Sequence, residues 1–137
     1  MRVATVFFPY RNRDRLATLA RALARGIEAQ GHDVDVIDGT RDVNTKLTMY
    51  GYIAVGTEAT NLFGGKIPQR VEEFLSSAGI VGGKKSYAFV RKRAIGGNKT
   101  LKRLMTVMEH EGMFLKISNA LHSPDEAEEI GKRLSIG

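Results

Sequence analysis

Cysteine and tryptophan are absent from this 137-residue sequence, and histidine occurs only three times. Without cysteine, the chain has no disulfide, no thiolate metal site, no iron–sulfur cluster and no thiol nucleophile. The histidines, His32, His110 and His122, lie far apart and in different predicted contexts. We therefore expect neither a metal site nor catalytic residues of the thiol type.

Long apolar runs are also missing. No stretch approaches the roughly 18 consecutive apolar residues that a membrane span requires. The apolar segment Val3–Phe8 is shorter than the core of a signal peptide. We therefore expect a cytoplasmic protein without a targeting segment.

The overall composition is that of a folded domain. Hydrophobic residues make up 42% of the chain and charged residues 26%, which excludes intrinsic disorder. The length predicts one domain over residues 1–137. The formal net charge of +6 favours anions, acidic proteins or nucleic acid as partners.

Strand-like and helix-like segments alternate along the chain. Short runs rich in β-branched and aromatic residues predict five strands. They are Val3–Phe8, His32–Asp38, Tyr50–Gly56, Ser86–Val90 and Met113–Ile117. Four segments with apolar residues at helical spacing follow the first, third, fourth and fifth strands. They contain residues 16–27, 67–78, 101–108 and 127–134. Residues 39–49 fit neither pattern and predict a turn or a short helix.

Local end signals support these helices. Asn12 or Asp14 is suited to cap the first helix, and Gly31 supplies a left-handed residue past its end. The run 123–126, Ser-Pro-Asp-Glu, is a capping box that opens the last helix.

This alternation predicts an α/β fold. Parallel strands joined by right-handed helical crossovers give a three-layer α/β/α sandwich. For five strands we expect the order 2-1-3-4-5.

Such a sheet predicts where a ligand binds. In open parallel sheets the site lies outside the carboxyl ends of the strands, where the strand order reverses. The segments that reach this edge are 9–15, 57–66 and 91–98, with 118–122 further out. Two of them are basic, since they contain Arg11, Arg13 and Arg15, and Arg91, Lys92 and Arg93. These cations either combine into one anion site or are separate solvated charges.

Two loop motifs carry a resemblance to a known family. Residues 56–68 have the sequence GTEATNLFGGKIP and precede VEEFL at 71–75. This segment is similar to the second flavin loop of flavodoxins, where an aromatic–glycine pair precedes a proline and a helix. The run Gly96-Gly97-Asn98 and the helix after it resemble the glycine-rich third loop. The likeness extends over nearly the whole chain and is to the short members of the family.

The resemblance implies a site for flavin mononucleotide (FMN). By position, its phosphate loop comprises Pro9, Tyr10, Arg11, Asn12, Arg13 and Asp14. The implied walls around the flavin ring are Thr57, Glu58, Ala59, Thr60, Asn61, Phe63 and Gly64, together with Arg93, Ala94, Ile95, Gly96, Gly97 and Asn98. Phe63 and Tyr10 are the candidates to stack on the ring, and the alternative for Phe63 is that it anchors its loop on the core.

The phosphate loop departs from the family pattern. Flavodoxins have small hydroxyl residues and glycine there, whereas residues 9–14 include no serine, threonine or glycine. Pro9 also lacks an amide donor. Either arginines replace the missing donors through bidentate pairing with phosphate, or flavin binding is lost.

Two functions remain open. The first is an electron carrier that binds FMN, or a related phosphorylated ligand, and meets an acidic redox partner. The second is a flavin-free binding or regulatory module for a phosphorylated small molecule or acidic partner, with nucleic acid ranked last. We expect an electron carrier or binding protein rather than a stand-alone catalyst. A receiver domain is excluded, because Phe7, Phe8 and Gly56 stand where it needs acidic residues.

Overall fold

The computed structural model describes residues 1–137 and contains five strands and four helices. In chain order they are β1 (Arg2–Phe8), α1 (Arg13–Glu28), β2 (Asp33–Asp38), β3 (Tyr52–Thr57), α2 (Arg70–Ser76), β4 (Lys85–Arg91), α3 (Gly97–His110), β5 (Phe114–Leu121) and α4 (Pro124–Arg133). No helix combines the length and the apolar character that crossing a membrane demands.

The strands form one parallel sheet in the order β2-β1-β3-β4-β5, which confirms the predicted topology. In its register Phe8 lies beside Thr57, and Thr57 lies beside Val90. The carboxyl ends of β1, β3 and β4 are therefore immediate neighbours. We call this side of the sheet, with the loops that leave it, the carboxyl edge.

Helices cover both faces of the sheet because the central strands are apolar on both sides. On one face Val3 and Phe7 of β1 pack with Leu16, Leu23 and other residues of α1, and with Ala127 of α4. On the other face, Ala4, Val6 and Phe8 of β1 share a core with residues of α2 and α3. The three-layer sandwich follows from this two-sided burial.

The predicted helix caps form. Asn12 caps α1, and its side chain accepts a hydrogen bond from the Arg15 amide at 3.2 Å. Ser123 caps α4 and accepts from the Glu126 amide at 3.1 Å. The Glu126 carboxylate accepts from the amide of His122 rather than from that of Ser123.

Several boundaries differ from the prediction, and three of them bear on the loops of the carboxyl edge or on the sheet. β5 continues to Leu121, so residues 118–121 are strand and not loop, because pairing with β4 overrides their polar composition. β3 begins at Tyr52 instead of Tyr50. α2 starts only at Arg70, after a turn in which the Val71 amide donates to the Pro68 carbonyl at 3.1 Å.

Candidate functional site

The loops that leave β1, β3 and β4, here called the first, second and third loops, contact one another at the carboxyl edge. Backbone amides of the first loop donate hydrogen bonds to Glu58 in the second loop. Arg91 at the end of β4 and Arg93 in the third loop also donate hydrogen bonds to the second loop. The sequence prediction that these segments share one edge is confirmed.

A buried carboxylate lies at the centre of this edge. Glu58 is 0% exposed, and its Oε2 atom accepts three hydrogen bonds from the backbone. The donors are the amides of Tyr10, Arg11 and Asn12, at 2.7, 3.0 and 3.1 Å. We call these three amides the anion nest. They lie at the amino end of α1, where backbone N–H groups and the helix dipole both favour a negative charge.

Arg91 neutralises the same carboxylate from the other side. Its Nη2 and Nε atoms donate to Glu58 Oε1 at 3.0 and 3.2 Å. The Arg91 side chain is 14% exposed, so the ion pair is nearly dry. Neighbouring strands deliver the partners, because Glu58 follows β3 directly and Arg91 ends β4. Both carboxylate oxygens of Glu58 are thus satisfied within the chain.

The six cations of this edge do not all combine into one open anion site, which corrects that alternative of the sequence analysis. Arg13 pairs with Asp38 at the end of β2 and donates to Thr40. Arg93 donates to the carbonyls of Ala59 and Leu62, at 3.3 and 3.1 Å. With Arg91 held by Glu58, three of the six cations serve the fold. The exposed ones are Arg11, Arg15 and Lys92.

The second and third loops are pressed together through two glycines. A side chain at Gly64 would lie 2.4 Å from the Gly96 carbonyl, and one at Gly96 would lie 2.1 Å from the Phe63 carbonyl. Both glycines have positive φ, +80° and +83°, so each is required by its conformation as well as by the contact. Thr100 closes the arrangement, since its Oγ1 accepts from the Gly65 amide and donates to the Gly96 carbonyl.

Two aromatic side chains stand out from these loops. Tyr10 is 57% exposed and Phe63 is 62% exposed. The alternative that Phe63 anchors its loop on the core is therefore wrong. Arg93 and the Gly64–Gly96 contact hold that loop instead. Exposed apolar residues Leu62 and Ile95 lie on the same two loops.

Several of the other predicted site residues are buried or hydrogen-bonded within the protein. Pro9 is buried after β1, and Thr57 is buried and donates to the Phe8 carbonyl at 2.8 Å. The second loop is closed on itself, because the Thr60 amide donates to the Lys66 carbonyl and the Lys66 amide donates to the Asn61 side chain. Four residues remain open to solvent or nearly so. They are Asp14, Ala94, Asn98 and, at the first position of α3, Gly97.

Two grooves flank this edge. One, of about 330 Å³, lies between α1 and the start of α4 and is lined by polar residues that include Arg15, Arg91, Lys92 and His122. The other, of about 470 Å³, follows the third loop from Lys92 to Lys99. Arg91 therefore faces both the buried carboxylate and a basic groove.

The residues of this edge fit the flavin ring of FMN but not, in this arrangement, its phosphate. Tyr10 and Phe63 offer exposed aromatic faces for a flavin ring. The phosphate does not fit while Glu58 occupies the nest, because all three amides already donate to one carboxylate oxygen. The bulky residues of the first loop do not block its amides, which converge despite the missing glycine and hydroxyl residues.

Sequence reasoning placed Glu58 in the implied ring wall and did not identify its hydrogen bonds to the amides of residues 10–12. It placed Arg91 among the cations of this edge without identifying its pairing with Glu58, and it left Thr100 out of the site altogether. The available signal was the acidic residue itself, which directly follows a buried strand at an edge otherwise rich in cations.

No family model matches the sequence, and no curated protein matches it. Solved structures do resemble this fold. A flavodoxin from the domain Archaea is 22% identical, with a TM-score of 0.73 over 99% of this chain and 94% of that one. Flavodoxin 1 from Bacillus cereus is 17% identical, with a TM-score of 0.74 over 97% of this chain and 93% of the other. Two-electron reduced Megasphaera elsdenii flavodoxin is 19% identical, with a TM-score of 0.70 over 93% and 96%. The fold of this chain is therefore that of the flavodoxins.

Proposed function

We propose that this protein is a cytoplasmic electron carrier that binds a flavin at the carboxyl edge, with FMN as the cofactor that the flavodoxin fold implies. The observation that carries the proposal is the anion nest. Three amides immediately before a long helix converge on one oxyanion, where the resemblance places the phosphate loop.

The exposed aromatic residues support the same proposal. Tyr10 and Phe63 are large, solvent-facing and on the two loops that border the nest. Neither side chain contributes to the apolar cores beneath the helices. A flavin ring stacked on them would cover apolar surface that is otherwise open to water.

The charge indicates the kind of redox partner. With a net charge of +6 and exposed Arg11, Arg15 and Lys92 at this edge, encounter with an acidic protein is favoured and slows as salt is added.

The test is flavin binding by the purified full chain. We expect flavin absorbance in the preparation, or quenching of flavin fluorescence when FMN is added. Phe63→Ala should weaken the affinity roughly five- to tenfold, through loss of ring stacking. Phe114→Ala is the matched control, since Phe114 is also exposed but begins β5 at the opposite edge. Colourless protein that ignores added FMN would overturn the proposal.

A further inference from the structure

The carboxylate of Glu58 and a phosphate monoester are chemically equivalent for the nest. Both are oxyanions that accept charge-assisted hydrogen bonds from backbone amides and from an arginine. We infer that Glu58 is an internal ligand of the nest, so that a phosphate group enters only by displacing it. As it concerns the phosphate of a flavin, this inference rests on the proposed function.

The geometry makes the two anions mutually exclusive. Each of the three amides is within 3.1 Å of the same Glu58 oxygen, and each has one hydrogen to donate. The carboxylate is 0% exposed, so it fills the nest rather than bordering it. A phosphate oxygen therefore gains these donors only when Glu58 loses them.

The displacement has a local route. Glu58 belongs to the loop after β3, so its side chain can leave without any change in the sheet. Its second oxygen is held by Arg91, which also lines the groove with Arg15, Lys92 and His122. Arg15, Arg91 and Lys92 stabilise whichever anion is outside the nest, the carboxylate or the arriving phosphate.

The exchange has a consequence for ligand choice. When a phosphate replaces a carboxylate on the same donors, hydrogen bonds are exchanged and few are added. FMN and riboflavin, which differ by that phosphate, should therefore bind the natural chain with similar affinity. When the Glu58 carboxylate is removed, FMN should bind more tightly than riboflavin.

The experiment compares FMN with riboflavin by fluorescence titration in the natural chain, Glu58→Ala and Glu58→Gln. We expect affinities within about threefold of each other in the natural chain, and a gain of at least about tenfold for FMN over riboflavin in Glu58→Ala. Glu58→Gln keeps the shape of the side chain and should show a smaller gain in the same direction. It serves as the deciding variant if Glu58→Ala does not fold. Glu72→Gln, which removes a carboxylate from the exposed pair with Arg103, is the control and should leave the ratio unchanged.

A second measurement needs no flavin. Inorganic phosphate, compared with chloride at equal ionic strength, should raise the melting temperature of the Glu58 variants but not that of the natural chain. The inference is overturned if phosphate stabilises the natural chain as much as the variants, or stabilises none of them. If phosphate stabilises only the variants while no chain binds either flavin, the inference stands and the proposed function fails.

Discussion

At the residue scale, one carboxylate organises the carboxyl edge. Glu58 joins the loop after β1 to the end of β4, because its two oxygens bond to the anion nest and to Arg91 respectively. A buried charge of this kind is tolerated only when it is fully paired and hydrogen-bonded. Its neighbours Arg13 and Arg93 serve the same edge by tying down β2 and the second loop.

Replacing the arginine of the Glu58–Arg91 pair tests how much this pair contributes to the stability of the protein. We expect Arg91→Met to lower the free energy of unfolding by about 3 kcal/mol, because the buried carboxylate loses its counter-charge. The loss of unfolding free energy caused by Arg91→Met should be smaller in a chain that also contains Glu58→Gln. Denaturant unfolding of the two single variants and the double variant measures this coupling.

The matched control is Arg103→Met, which breaks the exposed pair with Glu72 at 2.7 Å. That change should cost less than about 1 kcal/mol, since exposed ion pairs are solvated and screened. Equal losses for Arg91→Met and Arg103→Met would contradict the account of Glu58 as a buried, paired charge.

At the scale of elements, close backbone approach decides how the helices and loops fit together. α1 and α4 cross through Gly26 and Gly131, where an added side chain at Gly26 would lie 2.1 Å from the Glu128 carbonyl. At Gly131 it would lie 2.3 Å from the Leu23 carbonyl. The contact sets the distance between the two helices near their carboxyl ends.

Gly26→Ala should therefore destabilise the protein, although alanine is the better helix former by about 1 kcal/mol. We expect a loss of about 2–3 kcal/mol, because the obstructing atoms are backbone and the two helices must separate. Thermal or denaturant unfolding measures it. Gly97→Ala is the control within a helix, where the new carbon would lie 3.7 Å from the Ala120 side chain, and its effect should stay within about 0.5 kcal/mol.

At the scale of the whole molecule, the positive charge bears on the reduction potential of a bound flavin. Flavodoxins are typically acidic, which disfavours the fully reduced, anionic flavin. This chain carries a net charge of +6, with Lys92 exposed beside the third loop. A positive environment stabilises the anion and raises the potential.

We expect the second one-electron reduction step to lie well above the strongly negative values of acidic flavodoxins. Lys92→Gln should lower it by on the order of 10–40 mV, the effect of one solvated charge at short range. A redox titration of the flavin-loaded protein measures this. Lys132→Gln, at the far end of α4, should leave the potential unchanged, and a strongly negative second step in the natural chain would reject the prediction.

The sequence by itself determined the layered fold, because burial on both faces of a strand and apolar spacing along a helix are local patterns. It also identified Asn12 and Ser123 as caps and the three loops that share the carboxyl edge. The turn region 39–49 had no such pattern, since its conformation depends on distant partners. The Lys84 ammonium, for example, bonds to the carbonyls of Leu47, Thr48 and Tyr50, and burial lowers its pKa.

Only the tertiary structure decided what the charges of the edge do. Glu58 and the nest are separated by 46 to 48 residues, and Glu58 and Arg91 by 33. Such pairings depend on side-chain directions at neighbouring strand ends, which no local pattern encodes. An acid among many cations is therefore visible in the sequence, but its occupation of the anion nest follows from three-dimensional packing alone.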